Sequence, residues 1–205
     1  MKDNLEAALT TAFQLAKKKC DKYENKCFSL NMSDGKKHND RSKAWIKFLA
    51  RELLKMTQAS HPVTAENILF RSFYRNNYNK VTAQIFNLNE FLFDIVIAQM
   101  IEINSASHSK ARKLQAIKYG KWIVESEFQI NNSRALLLDL NKLAIAKAEN
   151  KLFIMSHSNK NTMKNWVIKT AKELMDTANE NVYLAVVPHP QDWTINDKIE
   201  VEKIT

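Results

Sequence analysis

The chain has 205 residues, a net charge of +9, and only two glycines and three prolines. This length suits one domain that buries a sizeable core, and the scarcity of glycine and proline excludes collagen-like or loop-dominated proteins. The basic balance favours a polyanionic partner, of which nucleic acid is the most common.

Other classes of protein are excluded by missing patterns. There is no apolar run of 18 residues and no signal-peptide pattern, so we expect a cytoplasmic protein without a membrane partner. Cys20 and Cys27 lack a second pair, so neither a disulfide framework nor a zinc site follows. No P-loop, GxGxxG, GxSxG or HExxH motif is present, which removes the basis for nucleotide-dependent, hydride-transfer, serine-hydrolase and zincin functions.

The N-terminal segment predicts a helix and a linker. Apolar residues recur at helical spacing from Lys2 to Lys19, whereas residues 21–40 are polar and contain Ser-Asp-Gly. We therefore predict an N-terminal helix with a polar linker over 1–40, and an α/β core over 41–205. The lysines of this segment form either a solvated surface or an arm that contacts phosphate.

A second helix is predicted from Ser42 to Met56, with its end at the His61-Pro62 step. Glu52 lies inside the apolar stripe of this helix, where a carboxylate needs a partner. One interpretation is an acid at the edge of the stripe, paired with a nearby lysine or arginine. The other is a helical acid that approaches a metal site.

A short helix is predicted from Ala65 to Phe73, and the polar, aromatic sequence RSFYRNNYNK overlaps its end. The basic residues of this sequence alternate with tyrosines, a composition that suits phosphate contact and base stacking but also ordinary surface loops. The residues in question are Arg71, Arg75 and Lys80 with Tyr74 and Tyr78.

Phe91 to Gln99 predicts a strand, although a helix over Asn89 to Ile103 fits the same short apolar run. Asp94 is the one charged residue of the strand. An aspartate in such apolar surroundings requires a cation, a metal or several hydrogen-bond donors, unless it lies at the exposed end of the strand.

The polar, basic segment from Asn104 to Tyr119 predicts a connection between two strands, with Arg112 and Lys113 among its cations. The second strand, Lys121 to Ile130, alternates between two faces. One face carries Trp122, Val124, Ser126, Phe128 and Ile130, and the other carries Ile123, Glu125, Glu127 and Gln129. Two carboxylates in line on one face repel each other unless positive charge lies between them, so the strand indicates a divalent metal.

The residues after this strand predict a helix from Arg134 to Asn150, capped by Asn131-Asn132-Ser133. Lys142 has apolar neighbours one turn away on this helix. It either extends its stem along apolar surface to reach solvent, or faces the preceding strand near Glu125 and Glu127.

The remaining chain predicts a parallel βαβ unit, with strands over 152–155 and 182–187 around a helix over 162–178. His157 and His189 both follow strand ends, so we expect them on one edge of the sheet, most simply as structural or exposed residues. The charged segment 191–205 is predicted to be peripheral.

The order of a helix, an Asp-bearing strand, a strand with paired acids, a helix and a further strand resembles the core of the PD-(D/E)xK nuclease superfamily, which includes many restriction endonucleases. The resemblance covers about 41–190 in layout. Its specific part is Asp94, the Glu125-Ser126-Glu127 step and Gln129. The ESEF step, the following DLNKL and the later VPHP also look like a group of bacterial proteins.

The resemblance implies a restriction-endonuclease-like mixed central sheet flanked by helices, with an N-terminal helical extension. Asp94 would match the first acid of the motif and Glu125 the second. The lysine expected two residues later is Glu127 here. Some members carry an acid or glutamine at that place, or supply the lysine from the following helix, where Lys142 stands. Glu52 is similar in placement to a helical acid of some members.

A metal-dependent nuclease acting on DNA, or less readily RNA, is the function that this resemblance implies. Its expected catalytic residues are Asp94, Glu125, Glu127 and Lys142. Its expected ligands for Mg²⁺ or Mn²⁺ are Asp94, Glu125, Glu127 and Glu52. Its expected nucleic-acid contacts are Arg71, Arg75, Lys80, Arg112 and Lys113.

Two alternatives fit the same residues. One is a non-catalytic nucleic-acid-binding or assembly subunit that keeps a nuclease-like fold, which the glutamate at the lysine position favours. The other is a regulatory or protein-interaction domain whose acids form ion pairs. A homodimer or a larger protein complex is left open by the sequence.

Overall fold

A six-stranded mixed sheet carries helices on both of its faces. The computed structural model describes residues 1–26, 33–61, 69–75, 91–106, 113–129, 131–157, 161–175, 179–193 and 198–204. Its elements in chain order are α1 (Lys2–Lys26), α2 (Asp34–Ala59), β1 (Leu69–Tyr74), β2 (Ile95–Asn104), β3 (Lys113–Glu127), α3 (Ser133–Ile145), β4 (Ala148–Ser156), α4 (Asn161–Leu174), β5 (Asn181–Val187) and β6 (Glu200–Lys203).

The strands lie in the sheet in the order in which they occur in the chain. β1, β2 and β3 pair antiparallel, β3, β4 and β5 pair parallel, and β6 returns antiparallel to β5. Parallel neighbours require a crossover connection, and α3 and α4 lie between the parallel strands in the chain. The predicted α/β class, with a mixed central sheet flanked by helices, is confirmed.

Each face of the sheet has its own core. On the first face, α1 and α2 pack against alternate strand residues such as Trp122 and Val124. On the second face, α3 and α4 pack against the intervening residues, including Ile123 and Phe153. The alternation predicted for this part of β3 is therefore confirmed, and it determines which helix each side chain of the strand meets.

The linker predicted over 21–40 is wrong for residues 21–26 and 34–40, which are helical. Residue 40 lies inside α2, and α1 shares the first core with the sheet. One physical reason is a tertiary contact at this end of α2. Arg41 is buried and donates from Nη1 to the backbone oxygens of Pro190 (2.9 Å) and Gln191 (3.0 Å), which anchors α2 to the chain that follows β5.

The helix predicted over 65–73 is wrong where the structure describes it, since Leu69–Tyr74 is strand β1. Its residues pair with β2, where Ser72, Phe73 and Tyr74 lie opposite the β-branched run 95–97, and this pairing overrides the helical spacing. The alternative helix over 89–103 is excluded by β2 itself. The predicted connection over 104–119 is likewise strand from Lys113 onward.

Two further boundaries differ from the sequence prediction. The helix predicted to Asn150 ends at Ile145, because residues 148–150 already belong to β4. The C-terminal segment is not peripheral, since β6 pairs with β5 and both Trp193 and Val201 are buried in the first core. Among the described residues, no helix is both long enough and apolar enough to span a membrane.

The buried ion pair between Lys151 and Glu180 allows a test of this packing. Lys151 is fully buried on β4, and its Nζ donates to both carboxylate oxygens of Glu180, at 2.6 and 2.7 Å. Glu180→Ala should lower the free energy of unfolding by about 2–4 kcal/mol, because it removes the carboxylate from a buried ammonium. Lys151→Met should cost less, since it removes the buried charge and keeps most of the volume.

Urea unfolding of both variants measures the difference. Glu173→Ala is the matched control, because Glu173 pairs with Lys169 across 3.9 Å and both side chains are exposed. We expect it to cost less than about 1 kcal/mol. Equal losses for Glu180→Ala and Glu173→Ala would contradict the importance of the buried pair.

Candidate active site

Asp94 directly precedes β2 and Glu125 lies in β3, at the same end of this strand pair. Ile95 stands opposite Val124, so continuing the antiparallel register by one residue sets Asp94 opposite Glu125. The backbone N–H and the hydroxyl of Ser126 both donate to Asp94 Oδ2, at 2.9 and 2.6 Å. These two donors fix the Asp94 carboxylate just before β2, so hydrogen bonding is one of the expected compensations that the structure provides for this acid.

Lys142 reaches Glu125 from α3. Its Nζ lies 3.3 Å from Glu125 Oε2 and 2.7 Å from Asp139 Oδ1, one helical turn earlier. Glu125 is only 2% exposed, and its Oε1 has no hydrogen-bond partner among the described residues. Of the two interpretations of Lys142, the structure therefore supports the one in which it faces the preceding strand.

The electrostatics of this group are unbalanced. Burial, together with the negative charges of Asp94 and Asp139, raises the pKa of Glu125 to about 8, although Lys142 opposes the shift. Burial also raises the pKa of Asp94 despite its hydrogen bonds from Ser126. Burial would lower the pKa of Lys142, but its hydrogen bond to Asp139 and the charge of Glu125 outweigh this effect and raise it. Two carboxyl groups, those of Glu125 and Asp139, thus contact one ammonium, and the charge of Asp94 adds to the negative potential at Glu125. Further positive charge would stabilise this arrangement.

Two predicted ligands have other partners. Glu127 Oε1 accepts from the backbone N–H of Gln129 at 2.7 Å. Glu52 pairs with Lys55 at 2.8 Å. This pairing agrees with the interpretation of Glu52 as an acid at the edge of the apolar stripe. Within the described ranges, no three His, Cys, Asp or Glu side chains converge closely enough to hold a metal ion. The structure therefore does not bring the predicted set of four acids together.

The remaining pair of acids has the ligand chemistry that a divalent metal prefers. Asp94 and Glu125 offer hard carboxylate oxygens, and the buried Oε1 of Glu125 has a lone pair without a donor in the described part of the chain. Mg²⁺ is commonly held by one or two carboxylates, with water and substrate phosphate completing its coordination. Oxygen ligands of this kind suit Mg²⁺ or Mn²⁺ better than zinc.

A cavity of about 390 Å³ adjoins Asp94 on the side of α2. Asp94 and Ser126 line it together with Lys43 and Arg75, so cations face a carboxylate across the same space. Ser42 also lines the cavity, and its hydroxyl oxygen is buried without a partner among the described residues. We call this space the basic cavity.

The residues predicted to contact nucleic acid do not all lie near the basic cavity. Arg75 lines the basic cavity, and Arg71 lies on β1 four residues earlier. Lys113 lies at the other end of β3, twelve residues and about 40 Å of extended strand from Glu125. Its Nζ is 3.9 Å from an oxygen of Glu102. Lys80, Tyr78 and Arg112 fall outside the described residues, while Tyr74 packs against the first core.

Sequence reasoning missed Asp139, Ser42 and Lys43. Asp139 could have been found, because an acid three residues before a lysine on a helix is a recognised pair. Ser42 and Lys43 carried no such signal, since their position depends on how α2 packs against the ends of β1 and β2.

Comparison with known proteins yields no relative. No family model matches this chain, and no curated protein or solved structure matches it either.

The raised pKa of Glu125 predicts how stability depends on pH when divalent cations are chelated. The folded protein holds the proton of the Glu125 carboxyl group more tightly than the unfolded chain does, because the pKa of an ordinary glutamate is near 4.5. The stabilisation is therefore fully present below pH 4.5 and is lost as the pH rises through about 8. We expect a loss on the order of a few kcal/mol over this window.

Urea unfolding between pH 5 and pH 9 checks the prediction, with Glu125→Gln as the test variant. The free energy of unfolding of this variant should depend much less on pH, because its side chain does not titrate. Glu127→Gln, two residues along the same strand, is the control and should keep the pH dependence of the wild type. A Glu125→Gln variant whose slope equals that of the wild type would show that the pH dependence has another source.

Proposed function

We propose that this protein is a metal-dependent nuclease that hydrolyses phosphodiester bonds, with DNA favoured over RNA as substrate and the cytoplasm as its setting. One observation carries the proposal. Lys142, supplied by the helix after the acid-bearing strand, meets the buried Glu125, and the adjacent Ser126 donates two hydrogen bonds to Asp94. A lysine beside two carboxylates is the combination that metal-assisted phosphate chemistry uses.

The order of elements supports the same function. Helix α2, strands β2 and β3, helix α3 and the parallel strand β4 follow one another in the order expected from the resemblance to the PD-(D/E)xK superfamily, with β1 as an additional strand before β2. Asp94 directly precedes β2, and Glu125 lies in β3. The superfamily motif has a lysine where this chain has Glu127. In our proposal, Lys142 takes the role of that motif lysine.

Hydrolysis forms a bond between water oxygen and phosphorus and breaks one P–O bond, whose oxygen leaves with a proton. A divalent cation held by Asp94 and Glu125 would stabilise the developing charge and lower the pKa of the attacking water. Ser126 keeps the Asp94 carboxylate oriented for this, through its two hydrogen bonds. Asp139 holds the ammonium of Lys142 near the reacting phosphate, where it would offset negative charge.

The basic cavity gives the nucleic-acid backbone a place beside these acids. Lys43 and Arg75 would contact phosphates there, and the buried hydroxyl of Ser42 offers a donor that has no partner in the described part of the protein. Such contacts are independent of base sequence and weaken as salt is added.

A non-catalytic nucleic-acid-binding or assembly subunit is the second candidate. Glu127 occupies the expected lysine position, and Lys142 is already paired with two carboxylates. A protein of this kind would use the basic cavity for binding and the acids only for structure.

Cleavage assays separate the two candidates. Linear, nicked and single-stranded DNA and RNA are incubated with the protein and Mg²⁺ or Mn²⁺. Asp94→Asn, Glu125→Gln and Lys142→Met should each slow cleavage by about 100-fold or more, because each removes charge from the reacting centre. Lys164→Met is the matched control, since Lys164 also pairs with two carboxylates, Glu200 and Glu202, but lies on α4.

Fluorescence anisotropy with labelled DNA provides the second measurement. Cleavage that survives both Asp94→Asn and Glu125→Gln would sink the proposed site. If no substrate is cut while DNA binding weakens with salt and with Arg75→Ala, the non-catalytic candidate is favoured instead.

Metal binding can be tested without a substrate. Mg²⁺ at about 100 times its dissociation constant should stabilise the wild type by about 2.7 kcal/mol, and Asp94→Asn or Glu125→Gln should remove this gain. Calorimetry in buffers of different ionisation enthalpy should also show proton release below pH 8, because the Glu125 carboxyl must ionise to bind the cation. Unchanged thermal stability with both Mg²⁺ and Mn²⁺ would exclude the metal site.

A further inference from the structure

A second cavity, of about 590 Å³, opens beyond the carboxyl ends of β3, β4 and β5. Its walls include Gln129 and Asn131 after β3, His157 after β4, and His189 and Gln191 after β5. The expectation that the two histidines share one edge of the sheet is confirmed. Ligands of α/β proteins bind preferentially at this edge of parallel strands, and the volume is that of a small-molecule pocket.

The lining of this cavity suits a neutral ring with hydrogen-bonding edges. Side-chain amides project from Gln129, Asn131, Asn132 and Gln191, and each offers both a donor and an acceptor. Apart from the two histidines, Asp192 is the one ionisable side chain among the described lining residues, and its carboxylate carries a negative charge. A phosphate or other anion is therefore disfavoured here, in contrast to the basic cavity with Lys43 and Arg75.

Hydrogen bonds within the wall restrict which groups remain for a ligand. Asn132 Oδ1 caps α3 by accepting from the N–H of Ala135 at 3.2 Å, so its NH₂ group faces outward as a donor. His189 Nδ1 accepts from the N–H of Gln191 at 3.2 Å, which leaves the ring proton on Nε2. Burial, together with the neighbouring His38, lowers the pKa of His189 and favours this neutral form. A wall with assigned donors and acceptors can discriminate between nucleobases.

Phe128 forms part of both cavities. The edge of the His189 ring packs against it at 6.2 Å between centroids and an interplanar angle of 85°. An aromatic ring in this position provides a stacking surface for a base whose phosphate lies on its other side. Ser126 in the basic cavity and Gln129 in the second cavity are only three residues apart on the chain.

We propose that the second cavity binds one nucleobase next to the phosphate held in the basic cavity, with Phe128 as the stacking surface and Gln129 and Gln191 as the residues that contact the base edge. The inference rests on the proposed nuclease function and adds to it a preference for one base beside the cleaved bond. A base must leave its stack to enter such a pocket, so single-stranded or frayed substrates are favoured.

Free nucleosides test the pocket without any cleavage. Deoxyadenosine, deoxyguanosine, deoxycytidine and thymidine, which lack phosphate, are titrated into the full chain and followed by saturation-transfer NMR. We expect measurable binding that differs between the four bases. Gln129→Ala and Gln191→Ala, both at exposed side chains, should weaken it at least fivefold, and Phe128→Leu about tenfold.

Gln58→Ala is the matched control, because Gln58 is an exposed glutamine sixteen residues after Ser42 on α2, about 24 Å along the helix. It should leave nucleoside binding unchanged. Nucleosides that do not bind, or that bind equally well to Gln129→Ala and Gln191→Ala, would overturn the proposal. Competition of inorganic phosphate with the nucleosides would overturn it as well, since it would indicate an anion site.

The second experiment measures cleavage rates for a series of oligonucleotides that differ only in the base on either side of one bond. Gln129→Ala and Gln191→Ala should reduce the ratio of rates between preferred and disfavoured bases about tenfold. Nucleoside binding without any cleavage would refute the nuclease and retain the pocket. Cleavage without base preference and without nucleoside binding would refute the pocket and retain the nuclease.

Discussion

Burial of the Glu125 carboxylate is the constraint on which the site depends. A carboxylate that is 2% exposed is costly unless charge and hydrogen bonds compensate it. The fold supplies Lys142 from one side, yet it also sets Asp94 and Asp139 nearby, so the compensation is incomplete. A structural ion pair would be expected to satisfy both oxygens, whereas Glu125 Oε1 lacks a partner within the described residues. The incomplete compensation is the physical argument for a cation.

Much of this arrangement could be predicted from short-range periodicity. The two-residue period of β3 assigned Trp122 and Glu125 to opposite faces, and the helix after it placed Lys142 over the face with the acid. Predictions based on polar composition alone were less reliable. Residues 34–40 and the C-terminal strand look like surface segments, but the hydrogen bonds of Arg41 and the burial of Trp193 incorporate them into the fold. Such tertiary partners leave no periodic signal.

The same distinction explains which site residues sequence reasoning located. Glu127 shares a face with Glu125 by alternation, but β3 ends there and the N–H of Gln129 is within reach. Glu52 finds Lys55 one turn along its own helix. In both cases the partner lies nearby in the chain, because a local contact requires little further ordering. Asp94 has no such local partner among the residues that the structure describes, and it meets Ser126 across the strand pair.

The alternation of β3 also divides the chemistry of the site between two sides of the sheet. Glu125 turns toward α3 and its lysine, whereas Ser126 turns toward α2 and the basic cavity. Phe128 then separates that cavity from the amide-lined one beyond the strand. Residues within four positions of one another, at the end of one strand, thus line three different surroundings. Positive charge in one cavity and neutral hydrogen-bonding groups in the other match the two parts of a nucleotide, because phosphate contacts supply affinity and base contacts supply discrimination.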